Sequence, residues 1–337
     1  MMRTHRGECL HSPLRGHSAG QISYIQFNLY RVVPVKIKCT VNRAERGIIM
    51  GSKLIALLGT PLGQSFSPRM QNEAYASMGF DAHYFPLETN NELIGNNIAN
   101  IKKDNSYAGF AVTKPNKEFA VQFMDEMDGL AEKMGTINTV VRSADGTLKG
   151  YNTDGFGATK SLELEGVKFD ETTFFVWGAG GTGKSVCFTM ADLGAKKMFI
   201  SSRSEKCETL AKDLNEKFGR EVAVAIRTAD EEAVKAAVAE SDVLMNLSGL
   251  GMRGHEGETP IAKECIKPEH VCFDATYNPL KTQFLLDAEE KGCKIINGLG
   301  MVIYQGARQI ELWACVDEAP VEQMFKTIDQ IVAEMNK

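Results

Sequence analysis

The sequence predicts an α/β protein with doubly wound, mostly parallel sheets. Two observations carry this. Short apolar runs alternate with helical patterns along most of the chain. One of those runs, Thr173–Trp177, leads into a glycine-rich turn that opens a helix. The length of 337 residues suits about two domains.

Residues 54–58 read as the first strand. Ser67-Pro68 reads as a helix cap followed by proline at the first helical position, and Gly79 closes that helix. Strands are predicted at 82–87 and 109–112 with a helix between them. Residues 140–141 and 148–151 flank Asp145-Gly146, a hairpin-type turn. Asp154 precedes a helix running to about Glu165. The second series places strands at 173–177, 198–201, 222–226, 243–246, 271–275 and 294–296, mostly separated by helices. Two helices close the chain, at 302–315 and 321–334. The domain boundary is expected near residues 152–157.

Composition excludes several classes. Hydrophobic residues make up 43% and charged residues 24%, with a net charge of −5, so disorder over most of the chain is excluded. No run of about 18 apolar residues provides a membrane span. Mild acidity argues against a nucleic-acid partner. The eight cysteines show no C-x-x-C pair and no histidine at ligand spacing. They read as reduced thiols in a cytoplasmic setting, with neither a disulfide framework nor a metal site.

Gly178-Ala179-Gly180-Gly181-Thr182-Gly183 satisfies G-x-G-x-x-G between a strand and a helix. The first glycine permits the tight turn, the second admits a pyrophosphate, and the third allows close packing of helix on strand. With Lys184 and Ser185 the same residues also fit G-x-x-x-x-G-K-[ST], the phosphate loop of nucleotide triphosphatases. Asp274 would then be the magnesium carboxylate. Local pattern leaves both readings open. The following strand ends in Ser202-Arg203-Ser204, with Lys206 close by, where an NAD site would carry an acid. A guanidinium there suits a 2′-phosphate, so NADP is the expected cofactor.

Polar residues gather at the strand ends and turns of the front half: Ser65, Ser67, Thr113, Lys117, Asn138, Asn152, Thr153 and Asp154. Singly, each has a bland explanation, such as a helix cap or a solvated charge. Their order is more specific. The run from Leu58 to Pro68, the block Gly109-Phe110-Ala111-Val112-Thr113-Lys114-Pro115-Asn116-Lys117, Gly135-Thr136-Ile137-Asn138-Thr139 and Asn152-Thr153-Asp154-Gly155 resemble successive signatures of the shikimate dehydrogenases. The glycine turn, Ser202-Arg203-Ser204, Asn246-Leu247-Ser248, Asp274 to Pro279, and Gly298-Leu299-Gly300-Met301 with Gln305 complete the series. The resemblance runs from about Leu54 to the C-terminus.

The resemblance implies a substrate domain, residues 50–153 with 302–337, and a Rossmann NADP-binding domain, residues 154–301. Shikimate would lie between them. Ser65 and Ser67 would bind its carboxylate, Thr113, Lys117, Asn138, Asp154 and Gln305 its ring hydroxyls, and Tyr277 would line the cleft. Lys117 and Asp154 would be catalytic, with Lys117 stabilising the developing alkoxide and donating a proton. Gly298 and Met301 would join Gly178–Gly183, Ser202, Arg203, Ser204 and Lys206 around NADP. The implied reaction is the NADP-dependent reduction of 3-dehydroshikimate to shikimate, a step of aromatic amino-acid (chorismate) biosynthesis. The implied partner is a small molecule, with no nucleic acid or membrane, and the protein is expected as a monomer or homodimer.

The chain departs from the family pattern at Ala111, where asparagine is usual, and at Gln64, Asn116, Leu247 and Ser248. These departures keep open a dehydrogenase of quinate, aminoshikimate or a related ring acid. A non-catalytic ligand sensor and the triphosphatase are the lesser alternatives. Charge is uneven along the chain: residues 1–49 carry +6 and the remainder −11. That front segment lacks a secretory apolar core and is expected to be disordered or outside the enzyme, with Met50 a natural start. A transit peptide stays open. Between Ile25 and Val41 apolar residues alternate as in a strand.

Overall fold

The structure is a computed structural model that describes residues 52–335. These residues form two six-stranded sheets with helices against them. The first sheet holds β1 (Lys53–Gly59), β2 (Ala82–Glu88), β3 (Tyr107–Val112), β4 (Glu126–Met127), β5 (Thr139–Arg142) and β6 (Leu148–Tyr151), in the order β2-β1-β3-β5-β6-β4. β1 pairs parallel with β2 and β3, and β4 pairs parallel with β6. β5 runs antiparallel to both β3 and β6. The second sheet holds β7 (Thr173–Trp177), β8 (Lys197–Ser202), β9 (Ala223–Arg227), β10 (Val243–Asn246), β11 (Val271–Asp274) and β12 (Lys294–Ile296). All of its pairings are parallel, in the order β12-β11-β10-β7-β8-β9. That is the doubly wound dinucleotide-binding order, with its switch point between β7 and β10.

β1 shows why the strands read as unbroken apolar runs. Ile55, Ala56, Leu57 and Leu58 are all buried. Ile55 and Leu57 face Met70, Ala74 and Tyr75 of α1 (Ser67–Met78), while Ala56 and Leu58 face Ile94, Ile98 and Ile101 of α2 (Ile94–Lys103). A strand covered on both faces has no need of polar alternation.

Short segments went unseen in the sequence. β4 has two residues and α3 (Gly129–Met134) has six, too few to display a period. α3 is held at its start by Asp128, whose side chain accepts from the Leu130 N–H.

Helix α4 (Asp154–Leu164) crosses α9 (Gly298–Ala314) at close range. A Cβ on Gly157 would lie 2.3 Å from the Met301 carbonyl oxygen, and one on Gly300 would lie 2.6 Å from Ser161 Oγ. α4 then joins the core of the second sheet through Ala158 and Leu162. α9 and α10 (Val321–Met335) return to the first sheet, where Ile303, Ala307, Ile310, Trp313, Met324 and Ile328 pack with Ile55 and Leu57.

Two expected helix starts are corrected. Phe66, not Ser67, is the capping residue of α1; Ser67 is already helical, and its N–H donates to Ser65 Oγ at 3.3 Å. α9 begins at Gly298 rather than at 302, because the Asn297 side chain accepts from the Leu299 N–H and caps it there. The boundary expected between 301 and 302 therefore falls inside a continuous helix. The apolar alternation between residues 25 and 41, with Cys9 and Cys39, lies outside the described residues. Among the described residues Cys187, Cys207, Cys265, Cys272 and Cys293 are free thiols, no group of three potential ligands could hold a metal, and no helix is long and apolar enough to cross a membrane.

Trp313 anchors the returning helix. It is fully buried, and its Nε1–H donates to the Val140 carbonyl at 3.0 Å. Gly109 makes room for it: a Cβ there would lie 2.0 Å from the same carbonyl oxygen and 2.8 Å from Trp313 Nε1. Trp313→Phe removes the donor and leaves a gap, so urea unfolding should show a loss of about 2–4 kcal/mol. An unchanged midpoint would mean that α9 is held elsewhere.

Candidate active site

The cleft is built where the strands of the first sheet end. β1 and β3 continue into loops that touch. The Thr113 N–H donates to Leu58 O at 2.9 Å and the Thr60 N–H to Lys114 O at 3.1 Å. Gly59 permits this approach, since a Cβ there would stand 2.2 Å from the Thr113 methyl. Glu88 accepts from the Leu62 N–H at 2.7 Å and holds the loop that carries Ser65. Hydrogen bonds from Thr60 and Leu62 keep that carboxyl below the usual range. Asn116 is fully buried and donates to Thr89 O at 2.8 Å. It therefore fastens the Lys117 loop from behind and does not line the cleft.

Lys117 forms a short ion pair with Asp154 in which both side chains are mostly buried. Asp154 opens α4, where a carboxylate is favoured by the helix dipole. Its other oxygen accepts from Asn138 Nδ2 at 2.9 Å. Asn138 is oriented in turn: its Oδ1 accepts from the Thr153 N–H and from Thr139 Oγ1, each at 2.8 Å. Gln309 Nε2 donates to Thr139 Oγ1 at 3.0 Å. Asn152 Nδ2 reaches across to Ser185 Oγ at 2.9 Å and ties this corner to α5 (Gly181–Asp192).

A cavity of about 340 Å³ opens onto the pair. It is lined by all eight residues expected around the substrate: Ser65, Ser67, Thr113, Lys117, Asn138, Asp154, Tyr277 and Gln305. Tyr277 packs on Phe66 with ring centroids 5.0 Å apart, and burial pushes its phenol upward. Tyr84 and Gln309 also line the cavity and were not expected from the sequence. Gln309 lies one helical turn beyond Gln305, a spacing that could have found it. Tyr84 carried no signal, because it sits inside an apolar strand.

The glycine turn divides as expected. A Cβ on Gly178 would lie 2.6 Å from the Leu247 backbone, and one on Gly183 would lie 1.9 Å from Gly178 O. Beside Gly180 and Gly181 there is open space, at the start of α5. Backbone N–H groups at such a terminus suit a phosphate, so the residues present fit a dinucleotide. Ala179, Gly180, Gly181, Lys184 and Lys206 line a cavity of about 210 Å³. Thr182 is shared between the main cavity and a neighbouring one of about 330 Å³ that also reaches Gln64, Leu247 and Ser248. Met301 lines the main cavity.

Other expected cofactor residues are placed differently. Gly298 does not line these three cavities; a Cβ there would lie 2.1 Å from Ala275 O, so glycine permits the close packing of α9 on the loop after β11. Ser202 Oγ donates to Ser204 O at 2.6 Å and accepts from the Cys207 N–H at 3.2 Å, shaping the turn into α6 (Lys206–Phe218). Arg203 and Ser204 are exposed beyond β8, and the Arg203 guanidinium has no partner among the described residues.

The triphosphatase reading fails on burial. Ser185 is fully buried and its hydroxyl is engaged by Gly181 O and Asn152. Asp274 is also fully buried, accepting from Asn246, Thr282 and the Thr276 N–H. Burial pushes the Asp274 carboxyl up despite these bonds. Both side chains are buried and already hydrogen-bonded within the protein, whereas a magnesium ligand would need an oxygen open to the ion.

Fold and site together define a dinucleotide-binding α/β oxidoreductase with a polar cleft between two sheets. Residues 57–140 match the shikimate dehydrogenase substrate binding domain. The shikimate dehydrogenase (NADP(+)) of Alkaliphilus oremlandii is 38% identical over 279 residues, covering 82% of this chain and 96% of that protein. A solved structure of shikimate 5-dehydrogenase from Listeria monocytogenes, in complex with shikimate and NAD, superposes with a TM-score of 0.78 at 33% identity, covering 82% of this chain and 96% of that one. Quinate dehydrogenase from Corynebacterium glutamicum, in complex with NAD, gives 0.75 at 26% identity, with 83% and 99% covered. The chain belongs to the shikimate dehydrogenase family.

The two kinds of glycine separate experimentally. Gly180→Val should leave thermal stability nearly unchanged while weakening dinucleotide binding by about tenfold or more, read by calorimetry. Gly183→Ala should lower both. Equal destabilisation by the two would remove the phosphate assignment of Gly180.

Proposed function

We propose that the protein catalyses the reversible NADP-linked reduction of 3-dehydroshikimate to shikimate. The observation that carries this reading is the Lys117–Asp154 pair opening onto a cavity that Ser65 and Ser67 also line. The two hydroxyls suit a carboxylate. Thr113, Asn138 and Gln305 suit ring hydroxyls, with Tyr277 forming a wall. The dinucleotide supplies the hydride when bound. Lys117 as ammonium gives its proton to the ketone oxygen and, as amine, takes it back in the reverse direction. Asp154 holds the ammonium at that oxygen and accepts from a neighbouring substrate hydroxyl.

For the cofactor, the start of α5 would hold the pyrophosphate, and Arg203 and Lys206 would hold the 2′-phosphate. We assign the first sheet with α9 and α10 to the substrate and the second sheet to NADP. The free thiols suit a reducing, cytoplasmic setting, with the protein a monomer or homodimer. A second reading, quinate or a related ring acid as substrate, is favoured by one feature: Ala111 puts a methyl group on the cavity wall.

Lys117→Ala and Asp154→Asn should each lower kcat for shikimate oxidation by about 10²–10⁴-fold while leaving calorimetric NADP binding intact. Near-normal turnover in Lys117→Ala would sink the acid assignment. Arg203→Ala should raise KM for NADP by about tenfold and leave KM for NAD unchanged. Equal effects on both cofactors would remove the 2′-phosphate role.

A further inference from the structure

We propose that the Tyr84 hydroxyl is a substrate-binding group that recognises one ring hydroxyl at the sheet-side wall of the cavity. The inference rests on the ring-hydroxy-acid reading above and adds a residue to it. Tyr84 lies on β2 opposite Ile55, and Ala111 lies on β3 opposite Leu57, two residues further along the same face. Tyr84, Leu57 and Ala111 all line the cavity. Of the residues that β1, β2 and β3 contribute to the lining, Leu57, Tyr84, Ala111 and Val112, only Tyr84 has a polar side chain.

The ring is 1% exposed and packs on Trp313, with centroids 6.0 Å apart. Its hydroxyl has no hydrogen bond among the described residues, yet it is not a sealed orphan. Tyr75 provides the contrast. Its hydroxyl is also unpartnered, but it is fully enclosed and lines no part of the cavity. The nearby polar side chain, Gln309, is already committed: its Nε2 donates to Thr139 and its Oε1 accepts from Gln71 at 3.2 Å. Tyr84 is thus the unspent donor on this wall.

Burial pushes the Tyr84 phenol far above its usual range, so it remains a neutral O–H. A neutral hydroxyl that can both donate and accept matches an alcohol. The anionic end of the ligand goes instead to Ser65 and Ser67.

Calorimetry on the full chain tests this with shikimate and with analogues that each lack one ring hydroxyl, comparing wild type and Tyr84→Phe. Phenylalanine keeps the ring and its packing. Tyr84→Phe should bind shikimate about tenfold more weakly, and its kcat should stay within about twofold of wild type, as for a group that binds ground and transition states alike. One analogue should bind both proteins equally, identifying the hydroxyl that Tyr84 contacts. Wild-type affinity for shikimate in Tyr84→Phe, or an equal loss with every analogue, would overturn the proposal. Failure of the wild type to bind shikimate would overturn the functional reading and this inference together, whereas binding unaffected by Tyr84→Phe would overturn the inference alone.

Discussion

Three segments that are distant in sequence meet at the carboxylate of Asp154. Lys117 comes from the loop after β3, Asn138 from the position just before β5, and Asp154 itself from the first turn of α4. The arrangement on either side follows from this meeting point. Asn152, two residues earlier, bonds α5 of the second sheet, and α4 crosses α9, which packs back on the first sheet. A shift of Asp154 would therefore move both walls of the cleft. Positioning of this kind is where a cleft enzyme gains much of its rate, because reacting groups must be held within a fraction of an ångström.

Much of this was legible in the sequence, and the reason is physical. Sites built at strand ends use polar residues that interrupt apolar runs, so Ser65, Thr113, Lys117 and Asp154 stand out against their surroundings. The glycine turn was legible as a phosphate cradle but not as one particular cradle. Ser185 and Lys184 satisfy the triphosphatase pattern as letters, and only the burial of Ser185 and Asp274 separates the two readings. Likewise Asn116 read as a departure from the family pattern that bears on the substrate, while its side chain bonds Thr89 O and pins a loop. Spacing records which residues are near in the chain, not which way they point.

What was not legible lies inside the apolar elements. Tyr84 reads as one more strand residue until it is seen to line the cavity beside the apolar side chains of Leu57 and Ala111. Gly298 read as a cofactor residue, yet it serves the approach of α9 to the loop after β11. The start of α9 was misplaced because Asn297 caps a helix whose first turn, Gly298-Leu299-Gly300-Met301, is half glycine. The net charge of −5 hid a different balance, +6 before residue 50 and −11 after it. An acidic cleft enzyme must hold anionic ligands by local groups, and Lys117, Arg203, Lys206 and the amides at the start of α5 are placed as such groups.

The central claim is that this site oxidises and reduces a ring hydroxy acid with NADP. The most direct measurement follows the absorbance of reduced dinucleotide while purified protein is offered NADP or NAD with shikimate or quinate. The account predicts reduction of NADP with shikimate as the most efficient of the four combinations in kcat/KM. Reduction of neither cofactor with shikimate, or a clear preference for quinate, would contradict it.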